Sequence, residues 1–175
     1  MEPGPVTVDI DLAATGDPTD HRRGGGGRQL VVYGDFECPY TAAAMRGIGA
    51  LLESGGEFEL VFRHFPLRSI HPHAEAAAAA SEAAARQGRF WEMHDVLFRN
   101  QRHLEPVDLR RYAERLGLDV VRFESDLVDA AVAARIERDI DSGERSGVDG
   151  TPSLFIDGIR YRGPNDRASL AGALR

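Results

Sequence analysis

Leu30-Val31-Val32-Tyr33-Gly34-Asp35-Phe36-Glu37-Cys38-Pro39-Tyr40-Thr41 is the stretch from which the fold is read. The apolar run Leu30–Tyr33 reads as a buried strand. An alanine-rich helical run follows from Ala42 to Leu52 and extends to about Glu53, where Ser54-Gly55-Gly56 ends it. Between them stands Cys38, the only cysteine in the chain. A thiol at a strand-to-helix junction meets unsatisfied backbone N–H groups and the positive end of the helix dipole. That setting favours the thiolate, the nucleophilic form. Asp35 and Glu37 oppose it, because like charge disfavours an anion. The helix is expected to prevail, its donors touching the sulfur while the two acids turn to water. Pro39 suits the first helical position, where its missing donor costs nothing. Thr41, one turn in, is expected to aim its hydroxyl back at the sulfur.

Outward from this junction the chain alternates strand and helix. Phe58 to Phe65 reads as a strand, with Phe58, Leu60 and Phe62 set against Glu57, Glu59, Val61 and Arg63, and Pro66 ends it. A strand–helix–strand unit of this length implies a parallel pair with a right-handed crossover. A helical region comes next. His73–Gln87 is nearly all alanine and stops at Gly88; Phe90–Phe98 has helical apolar spacing; Pro106–Leu116 ends at Gly117. Asp119 is an N-cap candidate for a helix to Leu127, and Ala130 to about Ser142 leads on. Thr151–Ile156 is a strand, Asp157-Gly158 a two-residue hairpin turn, and Ile159–Arg162 the return. Asn165 is placed to cap a last helix, Asp166–Leu174. Upstream, residues 1–28 read as a tail in which Val6–Leu12 alternates like an edge strand and Gly24–Gly27 forms a flexible connector. A phosphate loop is rejected there, because no Gly-Lys-Ser/Thr follows.

Cys38-Pro39-Tyr40-Thr41 resembles the Cys-x-x-Cys motif of the thioredoxin superfamily with its second cysteine replaced. Tyr33 to Tyr40 as a whole resembles the branch of bacterial DsbA-like disulfide oxidoreductases. A second match lies far downstream: Val148-Asp149-Gly150-Thr151-Pro152, with the strand and turn after it, resembles that family's Gly-Val-x-Gly-Thr-Pro loop. Two motifs in the right order carry more weight than either alone. The resemblance covers roughly Gln29 to the C-terminus. It implies an α/β thioredoxin fold over residues 29–175 with an inserted all-helical subdomain at about 70–146. It also implies that Thr151-Pro152 is a cis-proline loop facing the sulfur, where Thr151 would pair with an extended substrate as an added strand. Pro39 and Tyr40 would shape the surface beside the sulfur.

The departure from the motif sets the expected mechanism. A dithiol enzyme releases its mixed disulfide with a second thiol, which Thr41 lacks. The resemblance then implies a monothiol oxidoreductase working on protein or small-molecule disulfides, with no bound cofactor and an external thiol such as glutathione as co-substrate. Many thioredoxins place a buried acid six residues before the nucleophile. Val32 stands there, so that proton route is absent. Two other classes stay open: a glutathione-using transferase or isomerase on the same fold, and a non-catalytic peptide- or partner-binding module. Domains of this kind are also attached to sodium–proton antiporters, which makes association with a transporter an expected partnership.

The 175 residues suffice for one domain with a substantial core. A net charge of −7 argues against nucleic acid or anionic membrane as the main partner. No apolar run reaches membrane-spanning length. Met1-Glu2-Pro3-Gly4-Pro5 lacks the basic start and apolar segment of a signal peptide, and one cysteine allows no internal disulfide. Both point to a cytoplasmic setting. His64, His71, His73 and His94 raise a metal reading. His71 and His73 do not share a helix face, and zinc needs three or four convergent ligands. The expectation is therefore no metal, with capping before Ala74 and ordinary packing accounting for these residues. Phe90, Trp91 and Phe98 are expected in the core.

Overall fold

The computed structural model describes residues 18–175. The edge strand expected at Val6–Leu12 lies outside them. The elements run β1 (His21–Gly24), β2 (Arg28–Gly34), α1 (Pro39–Glu53) and β3 (Phe58–His64), then five helices, then a hairpin and a last helix. The five are α2 (Ala74–Ala85), α3 (Phe90–Arg99), α4 (Pro106–Arg115), α5 (Val120–Leu127) and α6 (Ala130–Arg145). The hairpin is β4 (Ser153–Ile156) with β5 (Ile159–Tyr161), and α7 (Arg167–Ala173) closes the chain. The strands form one five-stranded sheet in the order β1-β3-β2-β4-β5. Only β2 and β3 run parallel, in the register Leu30↔Leu60 and Val32↔Phe62; the other pairs are antiparallel. This is an α/β thioredoxin fold with the helical subdomain inserted between β3 and β4.

β3 is buried on both faces. Leu60 and Phe62 join the larger core under α2 and α3, and Val61 joins Val31, Tyr33 and Phe155 on the other side. The expected one-sided alternation fails because helices cover both faces of the central strands. Arg63, on the second face, is fully buried. Its guanidinium donates to Asp20 at 3.1 and 3.3 Å, to Tyr33 Oη at 3.0 Å and to Ser142 Oγ at 2.8 Å. A buried charge is tolerated only when paired and hydrogen-bonded in this way.

The Gly24–Gly27 segment is a turn rather than a loose connector. Gly24 ends β1, Gly25 N donates to Phe58 O at 3.0 Å, and Gly27 has φ +56° with Glu57 O only 2.0 Å from where a Cβ would sit. The Asp157-Gly158 hairpin forms as read, with φ 49° and 81°. The last helix starts one residue later than expected. Asp166, not Asn165, is its N-cap and accepts from Ser169 N at 3.0 Å; a carboxylate also suits the positive end of the helix.

Candidate active site

Cys38 is the N-cap of α1, with extended backbone (φ −75°, ψ 120°), and Pro39 follows in the first turn. Its amide donates to Asp35 O at 3.1 Å and its carbonyl accepts from Ala42 N at 3.1 Å. The Sγ lies 3.5 Å from the carbonyl oxygen of Thr151, which it faces as a donor. The Thr151–Pro152 peptide is cis. Cys38 is 3% exposed, so the residue is nearly closed off from solvent. Tyr40, two residues on, is 75% exposed. The Thr151 hydroxyl is buried with no hydrogen-bond partner, leaving a polar atom on the loop that faces the sulfur.

Thr41 is wholly buried, and its Oγ1 accepts from Asp35 N at 3.5 Å. That contact links α1 to the preceding loop, and among the described residues no hydrogen bond joins the hydroxyl to the sulfur. The space around it is tight. A Cβ on Gly34 would meet Phe62 Cε2 at 2.6 Å and Thr41 Cγ2 at 2.8 Å, so glycine is needed where β2 passes under the helix.

The two acids beside the cysteine do not turn to water. Asp35 is 1% exposed. Its Oδ1 accepts from Glu37 N at 2.7 Å, and its Oδ2 accepts from Leu67 N at 2.8 Å and from the His71 ring at 2.7 Å. Glu37 accepts from His73 N at 2.8 Å and from its Nδ1 at 3.2 Å. His73 Nε2 reaches Glu105 at 2.9 Å. The bond to Glu37 raises the His73 pKa; burial opposes it, and the bond to Glu105 adds to the rise. His73 is the N-cap residue of α2, yet its side chain caps nothing; it latches the cysteine loop to the start of the helical subdomain. The spacing His71-x-His73 thus serves three acid partners, Asp35 for His71 and Glu37 and Glu105 for His73. From the other side Gln101 Nε2 donates to Phe36 O at 2.8 Å and to Cys38 O at 2.9 Å. Nothing in the sequence marks Gln101, because its role depends on where α3 ends in space.

His64 joins His21 and Glu82 beneath the site. Both Nε2 atoms meet Glu82 Oε1, at 2.6 and 2.7 Å. Burial opposes the ionised Glu82, but the bonds from His21 and His64 outweigh it and hold the carboxyl well below its usual range. These three groups lie close enough to ligate a metal ion. They are joined by hydrogen bonds through Glu82, with Arg135 Nε 4.0 Å from the same oxygen supplying positive charge, while His64 Nδ1 is buried without a partner among the described residues. His21, which no reading of the residues singled out, stacks flat on Phe90 at 3.5 Å. His94 lies elsewhere, between Phe62, Trp91 and Phe98.

A family model described as Thioredoxin matches residues 27–175, and the chain belongs to that family. It is a DsbA-like member of the thioredoxin superfamily. Among solved structures, a thioredoxin-like oxidoreductase from Silicibacter pomeroyi DSS-3 superposes with a TM-score of 0.77 at 26% identity, covering 90% of this chain and 91% of that one. The fold also matches BdbD from Bacillus subtilis (TM-score 0.78, 18% identity, 89% and 90% covered). The thiol-disulfide exchange protein alpha-DsbA2 from Wolbachia pipientis is similar too (0.79, 20%, 90% and 87%). Curated relatives carry a different name. The chain is 46% identical over 168 residues to Na(+)/H(+) antiporter NhaA 3 of Salinispora tropica, covering 94% of this chain and 26% of that protein. Na(+)/H(+) antiporter NhaA 1 of Mycolicibacterium vanbaalenii is 43% identical over 176 residues, 97% and 28% covered. The chain thus spans about a quarter of the length of these relatives. Among the described residues no helix is long and apolar enough to cross a membrane.

Proposed function

We propose that this domain catalyses thiol–disulfide exchange through Cys38 alone. One observation carries the reading: the sole thiol sits at the N-terminus of α1 and within 3.5 Å of the Thr151 carbonyl. Unsatisfied amides at a helix start stabilise a developing thiolate. The thiolate attacks one sulfur of a substrate disulfide. That S–S bond breaks, a Cys38 mixed disulfide forms, and the other sulfur leaves as a thiolate that takes a proton from solvent. Thr41 provides no second sulfur, so an outside thiolate attacks the substrate sulfur of the mixed disulfide and Cys38 leaves as thiolate. No electrons enter or leave beyond the four sulfurs: the two of the substrate disulfide, Cys38 and the outside thiol. The Thr151–Pro152 loop holds an extended substrate beside Cys38, and Pro39 and Tyr40 form the contact rim.

The relatives' names support a second element: the domain works attached to, or docked beside, a sodium–proton antiporter. The test of the whole reading is a reductase assay with glutathione, combined with mass spectrometry of trapped mixed disulfides. Adducts on Cys38 and turnover that vanishes in Cys38→Ser are expected. Partner binding that persists in Cys38→Ala without any turnover would instead favour a non-catalytic module.

A further inference from the structure

Two adjoining cavities open beside α1. The first, ≈ 460 Å³, lies between α1 and α3, with Met45, Arg46, His94 and Phe98 among its walls. The second, ≈ 470 Å³, shares Arg46, Phe98 and Arg99 and continues past Gln101 and Arg102. Each is of a size that holds a small ligand. Among the described residues Arg46, Arg99 and Arg102 have no carboxylate partner, although the chain carries 28 acidic residues and a net charge of −7. Most other arginines in this molecule are paired, so three free guanidinium groups around one opening mark a place kept positive. The first cavity does carry two carboxylates, Glu53 and Asp95. Asp95 is already held by Arg23 at 2.9 Å and by the His94 ring at 2.8 Å. The second cavity has none.

A further group calls for a partner. His94 is 2% exposed, lines the first cavity, and its Nε2 is buried with nothing bonded to it. Asp95 accepts from Nδ1, so the neutral ring presents a bare lone pair at Nε2, an acceptor for an N–H group. Cys38 lines neither cavity, but a residue of each bonds to its backbone carbonyl. Gln101, on the second, donates to Cys38 O at 2.9 Å; Ala42, on the first, donates to the same oxygen through its amide at 3.1 Å.

We propose that this arginine-lined groove binds the resolving thiol, a small carboxylate-bearing thiol with amide N–H groups, and delivers its sulfur to Cys38. The inference rests on the exchange reading above. Guanidinium groups pair with carboxylates in a planar, bidentate way, and the apolar wall of Met45 and Phe98 takes the ligand's methylene chain. The ligand's thiolate attacks the substrate sulfur of the Cys38 mixed disulfide. The bond to Cys38 breaks, Cys38 departs as thiolate, a ligand–substrate disulfide forms, and the ligand's thiol proton goes to solvent.

The test uses the whole chain. Calorimetry on Cys38→Ser with S-methylglutathione, which cannot exchange, is expected to show binding that weakens about tenfold in an added Arg46→Gln/Arg99→Gln pair and weakens with salt, as screened charge requires. With Cys38 intact, the same pair is expected to lower the preference for glutathione over 2-mercaptoethanol, as a kcat/KM ratio, by about tenfold. No binding, binding indifferent to the two arginines, or an unchanged preference ratio overturns the proposal. Failure of the exchange reading looks different: no thiol turns over, while S-methylglutathione binding still reports on the groove.

Discussion

The Cys38 sulfur and the Thr151 carbonyl oxygen stand 3.5 Å apart, joining the N-terminus of α1 to the loop before β4 across 113 residues of chain. On the proposed exchange reading, this contact puts a donor thiol against an acceptor that an extended substrate would pair with, which would couple substrate binding to release of the sulfur. Exchange by Thr151→Gly is expected to keep its dependence on Cys38 while losing selectivity for peptide over small disulfides, measured as a ratio of kcat/KM values.

Thr41→Cys tests the placement of the first helical turn. Thr41 is buried and close in size to cysteine, so the substitution is expected to fold and to form an internal disulfide with Cys38 on oxidation. Thiol titration should find two reactive sulfurs after reduction and none after oxidation. Two sulfurs that stay free under oxidant would mean that the turn is not built for a dithiol.

Asp35 holds the cysteine loop through three N–H groups from Glu37, Leu67 and His71. Removing a buried carboxylate leaves those donors unsatisfied at about 1–3 kcal/mol each, partly offset by relaxation. Asp35→Ala is expected to lose about 3 kcal/mol in urea unfolding and to slow exchange at Cys38. Unaltered stability would show that the loop is held by Gln101 and Glu37 instead.

Asp20 and Arg63 are both fully buried at the side chain. Breaking such a pair strands a charge, at about 3–5 kcal/mol. Asp20→Ala is expected to fall in that range by denaturant midpoint, and adding Arg63→Met to recover part of it, because the stranded guanidinium is then gone. Additive losses would contradict a direct pairing.

Acid should weaken the fold through His94. Burial pushes its pKa from 6.5 down to about 4, against the hydrogen bond to Asp95 that raises it. A depressed folded value means that the neutral ring's contribution is complete above pH 6.5 and is lost as the pH falls towards 4. The full loss is about 3 kcal/mol, from the free energy of one pKa unit. His21 shifts in the same direction, by burial, and adds to the slope. Asp95, whose carboxyl burial raises but the bonds from His94 and Arg23 lower to about 2, adds a further loss below its ordinary 3.8. His73 has the opposite sign, its stabilisation lost as the pH rises, and a small size, since its ring is 34% exposed. His94→Leu is expected to flatten stability between pH 6.5 and 4; a slope that does not change would assign it to other groups.

The residue order of this chain determined whatever is local. Leu30–Gly34 running into Cys38-Pro39 dictates a strand, a turn and a helix capped at the sulfur, because periodicity, a first-turn proline and glycine stops act within a few residues. Asp157-Gly158 dictates its own hairpin, because both residues tolerate positive φ. What surrounds the sulfur was decided only by tertiary packing. Asp35 and Glu37 looked like solvated acids until the loop carrying His71 and His73 came across them. Arg63 looked like the exposed side of a strand until Asp20 and α6 closed over it. The pairing of a charge depends on which distant segment shares its space, and no period or cap along the chain encodes that.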